Sequence, residues 1–110
     1  MRILFLDDEL VRFESFERRH PNDDVTWVSS ALTCMDRLLV QPKYDLVSLD
    51  HDLGSGADGK VVARFIADVL SRDKIPSKII VHSWNGRGAG AMISILYDAS
   101  IKAEYRMFQA

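Results

Sequence analysis

The residues of this sequence able to do chemistry as a set are Asp7, Asp8, Asp50, His51, Asp52 and His82, each following directly on a short apolar run. Asp7-Asp8 comes after Ile3-Leu4-Phe5-Leu6, Asp50-His51-Asp52 after Leu46-Val47-Ser48-Leu49, and His82-Ser83-Trp84-Asn85 after Ile79-Ile80-Val81. Carboxylates gathered within a few ångströms repel one another and lose hydration on burial. They stay ionised together only if a cation joins them; otherwise some take up protons. Oxygen donors alone suit Mg²⁺ or Mn²⁺, and an added imidazole moves the preference toward Mn²⁺, Fe²⁺, Ni²⁺ or Zn²⁺. Taken singly, Asp7, Asp8 and Asp52 read equally well as caps of helices or turns. Only as a group do they point to a cation.

Such a group must be brought together by the elements that precede it. The apolar runs predict strands over Arg2 to Leu6, Val25 to Ser29, Asp45 to Leu49, Lys78 to Val81 and Ala103 to Phe108. Between them, helical spacing predicts helices over Val11 to Arg19, Ala31 to Val40 and Lys60 to Leu70, with Asp58 as an N-cap, and a fourth carrying Met92, Ile93, Ile95, Leu96 and Tyr97. Pro21 and Pro42 stop the first two. Strict alternation with short connections implies a parallel sheet with helices on both faces, joined by right-handed crossovers. Five such strands suit the flavodoxin-like α/β order 2-1-3-4-5, whose ligand crevice lies outside the carboxyl ends of strands 1 and 3. The acidic and imidazole groups fall at those ends. No fifth helix is expected after the fifth strand, which would leave an apolar sheet face half covered. That face is expected to pair in a homodimer or higher assembly.

At 110 residues the chain is a single domain, residues 1–110, with room for one core and one site. Its 47% hydrophobic and 27% charged content is that of a globular protein, and no apolar run approaches the ~18 residues of a membrane span. A cytoplasmic location is expected, and the single Cys34 is expected to be a buried, inert thiol. A formal charge of −2 gives no electrostatic reason for binding long nucleic acid, while short or cyclic nucleotides stay open. His20 reads as solvated. The stretch Asn85-Gly86-Arg87-Gly88-Ala89-Gly90 leads into the fourth helix, where backbone N–H groups attract anions and Arg87 adds a bidentate cation. Glycines here serve a tight turn equally well.

Asp7-Asp8 with Asp50 resembles the receiver domains of response regulators, in which the acidic pair holds Mg²⁺ and the third Asp accepts a phosphoryl group. Three longer motifs, "ILFLDDE" (Ile3 to Glu9), "DLVSLDHDLG" (Asp45 to Gly54) and "IIVHSWN" (Ile79 to Asn85) with the later Met92, are similar to the cyclic-phosphate-processing receiver-like family of phages and bacteria. That resemblance implies a receiver-like fold and a metal-dependent phosphodiesterase acting on a cyclic phosphate or cyclic nucleotide. The substrate would be a host signal degraded in phage counter-defence or a 2′,3′-cyclic phosphate RNA end. It further implies a divalent metal on Asp7, Asp8 and Asp50, with Asp52 and His51 added for hydrolysis. His82, or else His51, would serve as general acid or extra ligand. Ser83 and Asn85 would orient phosphate oxygens, Arg87 would neutralise charge, and Trp84 would stack on a base or join the core. Two other outcomes remain: a protein that sequesters a cyclic nucleotide without turnover, and a receiver phosphorylated on Asp50.

Overall fold

The structure, a computed structural model, describes residues 1–54 and 56–108. Nine elements alternate as β1 (Arg2–Leu6), α1 (Leu10–Arg18), β2 (Asp24–Val28), α2 (Ala31–Val40), β3 (Leu46–Leu49), α3 (Gly59–Asp68), β4 (Lys78–Val81), α4 (Gly86–Asp98) and β5 (Glu104–Tyr105). A single 3-10 turn, Arg72–Lys74, precedes β4. The strands form one parallel sheet in the order β2-β1-β3-β4-β5, the order expected from the alternation. Both faces of a parallel sheet are covered, so its central strands are apolar on both sides. Accordingly Ile3, Leu4, Phe5 and Leu6 are all fully buried.

Local chemistry sets the helix starts. Ser30 accepts from the Thr33 N–H, Asp58 from Lys60 and Asn85 from Gly88, each satisfying an amide that the first helical turn leaves without a partner. Pro42 forces the preceding Gln41 into an extended conformation, and α2 stops there.

The sheet faces are unequal. Leu4, Leu6, Val47, Leu49, Ile79 and Val81 point into the main core with Cys34, Leu38, Val62, Ile66, Met92 and Leu96 of α2, α3 and α4. The opposite face holds Ile3, Leu46 and Ile80 under Phe16 of α1. Cys34 lies in the main core with its thiol pKa pushed up to about 12 by burial, so it is inert as expected.

Most element boundaries shift from the sequence expectation by only a residue or two, and two differ by more. The fifth strand pairs with β4 at only two positions, Glu104 and Tyr105, where Ala103 to Phe108 was expected. The chain beyond it turns inward because Phe108 has a place to bury, against the rings of Phe5 and His82 at 6.2 and 5.7 Å. The fourth helix begins at Gly86, so the glycine-rich stretch is its opening turns and not a separate loop. Among the described residues no helix follows β5. A cavity of about 690 Å³ occupies the α1 side, with Leu46, Ile80 and Phe16 below and Arg19, Lys78 and Arg106 among its walls. This face is therefore narrower and more charged than a bare apolar sheet. No described helix is long and apolar enough to cross a membrane.

Candidate metal centre

Strand parity brings three of the six candidate residues together. The last paired row across the sheet is Leu6–Leu49–Val81. The ladder then runs one step further through Asp50 N–H to Leu6 O at 3.1 Å and His82 N–H to Leu49 O at 2.9 Å. Asp7, Asp50 and His82 are thus the next row. They continue the parity of Phe5, Ser48 and Ile80, toward the α1 side. One ligand atom from each lies within 4.8 Å of the other two, and all three residues are buried.

Their surroundings are electrostatically unequal. Burial works against the Asp7 carboxylate, but the His82 Nε2 contact at 3.0 Å, the Glu9 N–H at 2.9 Å and the Arg12 guanidinium outweigh it, and its pKa is lowered. Asp50 has less help. Its Oδ1 accepts from the His51 N–H at 2.8 Å, while Oδ2 is buried with no hydrogen-bond partner among the described residues, the Arg12 Nη2 standing off at 3.6 Å. Burial, and then the neighbouring Asp7 charge, push the Asp50 pKa up to about 7. His82 is stacked on Phe5 at 4.6 Å, and burial lowers its pKa against the pull of Asp7, so the ring is neutral near pH 7. Two carboxylates, a neutral imidazole and an oxygen that lacks a donor fit a divalent cation, and these three side chains could hold one.

The other predicted residues surround this centre in different ways. Asp8 lies outside the group of three, exposed, 3.5 Å from Arg12 Nη2. The loop after β3 breaks strand alternation, and Asp52 turns back so that its Oδ1 meets His51 Nδ1 at 2.8 Å; His51 Nε2 lies 3.6 Å from Asp58. Ser83 is buried and its hydroxyl accepts from the Asn85 N–H, while Asn85 Oδ1 caps α4. Both side chains are thus already engaged in shaping the loop. Trp84 is 65% exposed, which excludes the core reading; its indole N–H donates to Phe108 O and its ring lies under Arg12 at 5.7 Å. Arg87 is exposed on the first turn of α4. His20 is not merely solvated: it stacks on Phe16 at 4.2 Å and its Nδ1 meets Phe16 O at 2.9 Å.

Sequence reasoning missed Arg12, Ser48 and Gly59, and it read Gly88 only as part of an anion-binding or turn stretch. Arg12 stands four residues after Asp8 on a helix opening at the site, a spacing that could have revealed it. Ser48 is the polar residue within an otherwise apolar strand, which is itself a signal. The two glycines serve close packing. A Cβ on Gly59 would overlap the Asp50 carbonyl, and one on Gly88 would come within 2.6 Å of the His51 ring. By contrast, Gly86 and Gly90 face open space.

Comparison with known proteins places the chain in a family. A family model described as "Cyclic-phosphate processing Receiver domain" matches residues 2–98. No curated protein matches. Among solved structures, the response regulator receiver domain (CheY-like) from Methylobacillus flagellatus is similar, with TM-score 0.74, 15% identity, and coverage of 100% of this chain and 87% of that one. The phosphorylated cyanobacterial phytochrome response regulator RcpA gives TM-score 0.72 and 20% identity over 99% and 81% of the two chains. The Mn²⁺-bound form of response regulator Rcp1 gives TM-score 0.67 and 18% identity over 94% and 78%. At these identities the solved structures establish the receiver fold alone, whereas the family model spans most of the sequence: the chain belongs to the cyclic-phosphate processing receiver domain family.

Proposed function

We propose that this domain is a metal-dependent phosphodiesterase that opens a small cyclic phosphate or cyclic nucleotide. The observation that carries the reading is Asp50 Oδ2, a buried carboxylate oxygen without a donor among the described residues, beside Asp7 and His82 at the carboxyl ends of β3, β1 and β4. A divalent cation, when bound, supplies charge for the phosphate oxygens and a water of lowered pKa. Asp7, Asp50 and His82 are its ligands in this reading, and Asp8 adds negative charge beside them. His82 has both ring nitrogens engaged and is buried, which suits a ligand better than a proton donor. The proton for the leaving oxygen falls to His51, whose Nδ1 is fixed by Asp52 in the way that orients an acid/base imidazole. The amino end of α4 with Arg87 offers positive charge to the phosphate. The exposed Trp84 ring offers a stacking surface to a base.

The test is chromatography of cyclic mononucleotides, cyclic oligonucleotides and 2′,3′-cyclic phosphates incubated with the protein and Mn²⁺. A linear product that disappears with EDTA and in Asp50→Ala is expected, and its identity separates a nucleotide signal from an RNA end. Recovery of every compound intact would remove the hydrolytic reading. A compound retained and released unchanged on heating would replace it with sequestration.

A further inference from the structure

His82 is held at both ends of its ring. Nε2 lies 3.0 Å from Asp7 Oδ2, and Nδ1 lies 2.6 Å from the Ser48 hydroxyl, so a buried chain runs from β3 through the imidazole to the acidic centre. Asp7 Oδ2 also lies 2.9 Å from the Arg12 guanidinium, the setting of a carboxylate that accepts from both neighbours. With Asp7 accepting, the proton of the imidazole lies on Nε2 and the Ser48 hydroxyl donates to Nδ1. Coordination through Nε2 needs the opposite arrangement, because the lone pair has to face the cation and the proton has to sit on Nδ1. That form is tolerable in a buried site only if Nδ1–H finds an acceptor. Ser48 is the group within reach. Among the described residues its hydroxyl has no second hydrogen-bond partner to lose, and a hydroxyl can reverse from donor to acceptor by rotating about one bond. Phe5, stacked parallel to the ring at 3°, keeps the imidazole plane fixed while this happens.

We propose that Ser48 is a positioning residue which, by reversing its hydrogen bond, sets His82 as an Nε2 ligand and so makes the centre select nitrogen-accepting first-row cations over Mg²⁺. The inference rests on the metal site of the proposed function and adds to it the choice of cation. It also accounts for a serine, buried and facing α1, in the middle of an apolar strand.

The experiment uses the full chain and two readouts. Pulsed electron paramagnetic resonance of the Mn²⁺-loaded protein should show coupling to a directly bound nitrogen, absent in His82→Gln. Titration calorimetry should show that Ser48→Ala loses about 10–100-fold in Mn²⁺ affinity, the usual effect of removing the partner of a ligating histidine. Mg²⁺, which has little use for nitrogen, should change by less than about threefold. Ser48→Thr, which keeps the hydroxyl, should recover the Mn²⁺ affinity. Absence of nitrogen coupling in the wild type overturns the proposal, as does an equal loss of both cations in Ser48→Ala or no loss of either. If Mn²⁺ binds and Asp50→Ala abolishes it, that failure leaves the proposed metal site standing. If the wild type binds no Mn²⁺, both readings fall together. Should Ser48→Ala not fold, nitrogen coupling in the wild type and in Ser48→Thr decides the matter.

Discussion

Replacing Asp50 by Asn should stabilise the metal-free protein at neutral and alkaline pH, an unusual outcome for a buried polar residue. An aspartate that titrates near 3.8 when exposed and at about 7 in the fold binds its proton more tightly when folded. The sign follows directly. The favourable contribution of the protonated form is complete below about pH 4, declines as pH rises, and is gone above about pH 7. At 1.36 kcal/mol for each pH unit, ionised Asp50 costs the fold up to roughly 4 kcal/mol at pH 8. Asn keeps the acceptor for the His51 N–H but gives up the attraction of Arg12 Nη2 at 3.6 Å, so the net gain is about 1–3 kcal/mol. For a domain of this size that is a rise in Tm of roughly 5–15 °C. Thermal melts in EDTA at pH 8 should show it, and melts at pH 4.5 should show most of it vanish. Mn²⁺ should then raise the wild type by about 2.7 kcal/mol at a hundred times its Kd while leaving Asp50→Asn unmoved. An Asn variant that melts at or below the wild type in EDTA at pH 8 would refute the claim that Asp50 is strained for want of a cation. Equal responses of the two proteins to Mn²⁺ would place the ion elsewhere.

Arg12→Gln should act in the opposite direction on the same centre. It removes the guanidinium 2.9 Å from Asp7, lowering metal-free stability by about 1–3 kcal/mol in urea titrations, yet it should tighten Mn²⁺ binding by about tenfold because a competing cation is gone. The glycines should separate by neighbour: Gly59→Ala should cost about 3 kcal/mol through overlap with the Asp50 carbonyl, whereas Gly86→Ala should stay within about 0.5 kcal/mol, both read from Tm. We also propose that the α1-side face, with Leu46 and Ile80 beneath its cavity, pairs two copies of the chain. Light scattering should then give twice the 12.5 kDa chain mass, and a monomer at micromolar concentration would end that idea.

The strand order was readable because alternation with short connections leaves few topologies, and the site's position followed from where strands end. Which strand-end residues meet was harder to see. Counting one step beyond Leu6, Leu49 and Val81 selects Asp7, Asp50 and His82 and leaves Asp8 on the other parity, but that count needs the register, and register lies in cross-strand pairing that composition does not display. The resemblance to receivers favoured the consecutive pair Asp7-Asp8 as ligands; the fold gathers Asp7 with Asp50 and His82 and leaves Asp8 exposed beside Arg12. The roles of Ser83 and Asn85 were hidden for a different reason. Hydroxyls and amides that could orient a phosphate are equally able to cap a helix, and in this loop the helix is nearer. Arg12 shows the limit most clearly: from sequence it is one charge among several on an amphipathic helix, and only the fold reveals that it reaches Asp7, Asp8 and Asp50 together. A cation already built into the chain eases the crowding of Asp7, Asp8 and Asp50 in the absence of metal, while leaving the Asp50 pKa raised. It also implies that a divalent ion must share the centre with the guanidinium or displace it, so the Arg12→Gln and Asp50→Asn measurements test a single electrostatic balance from its two sides.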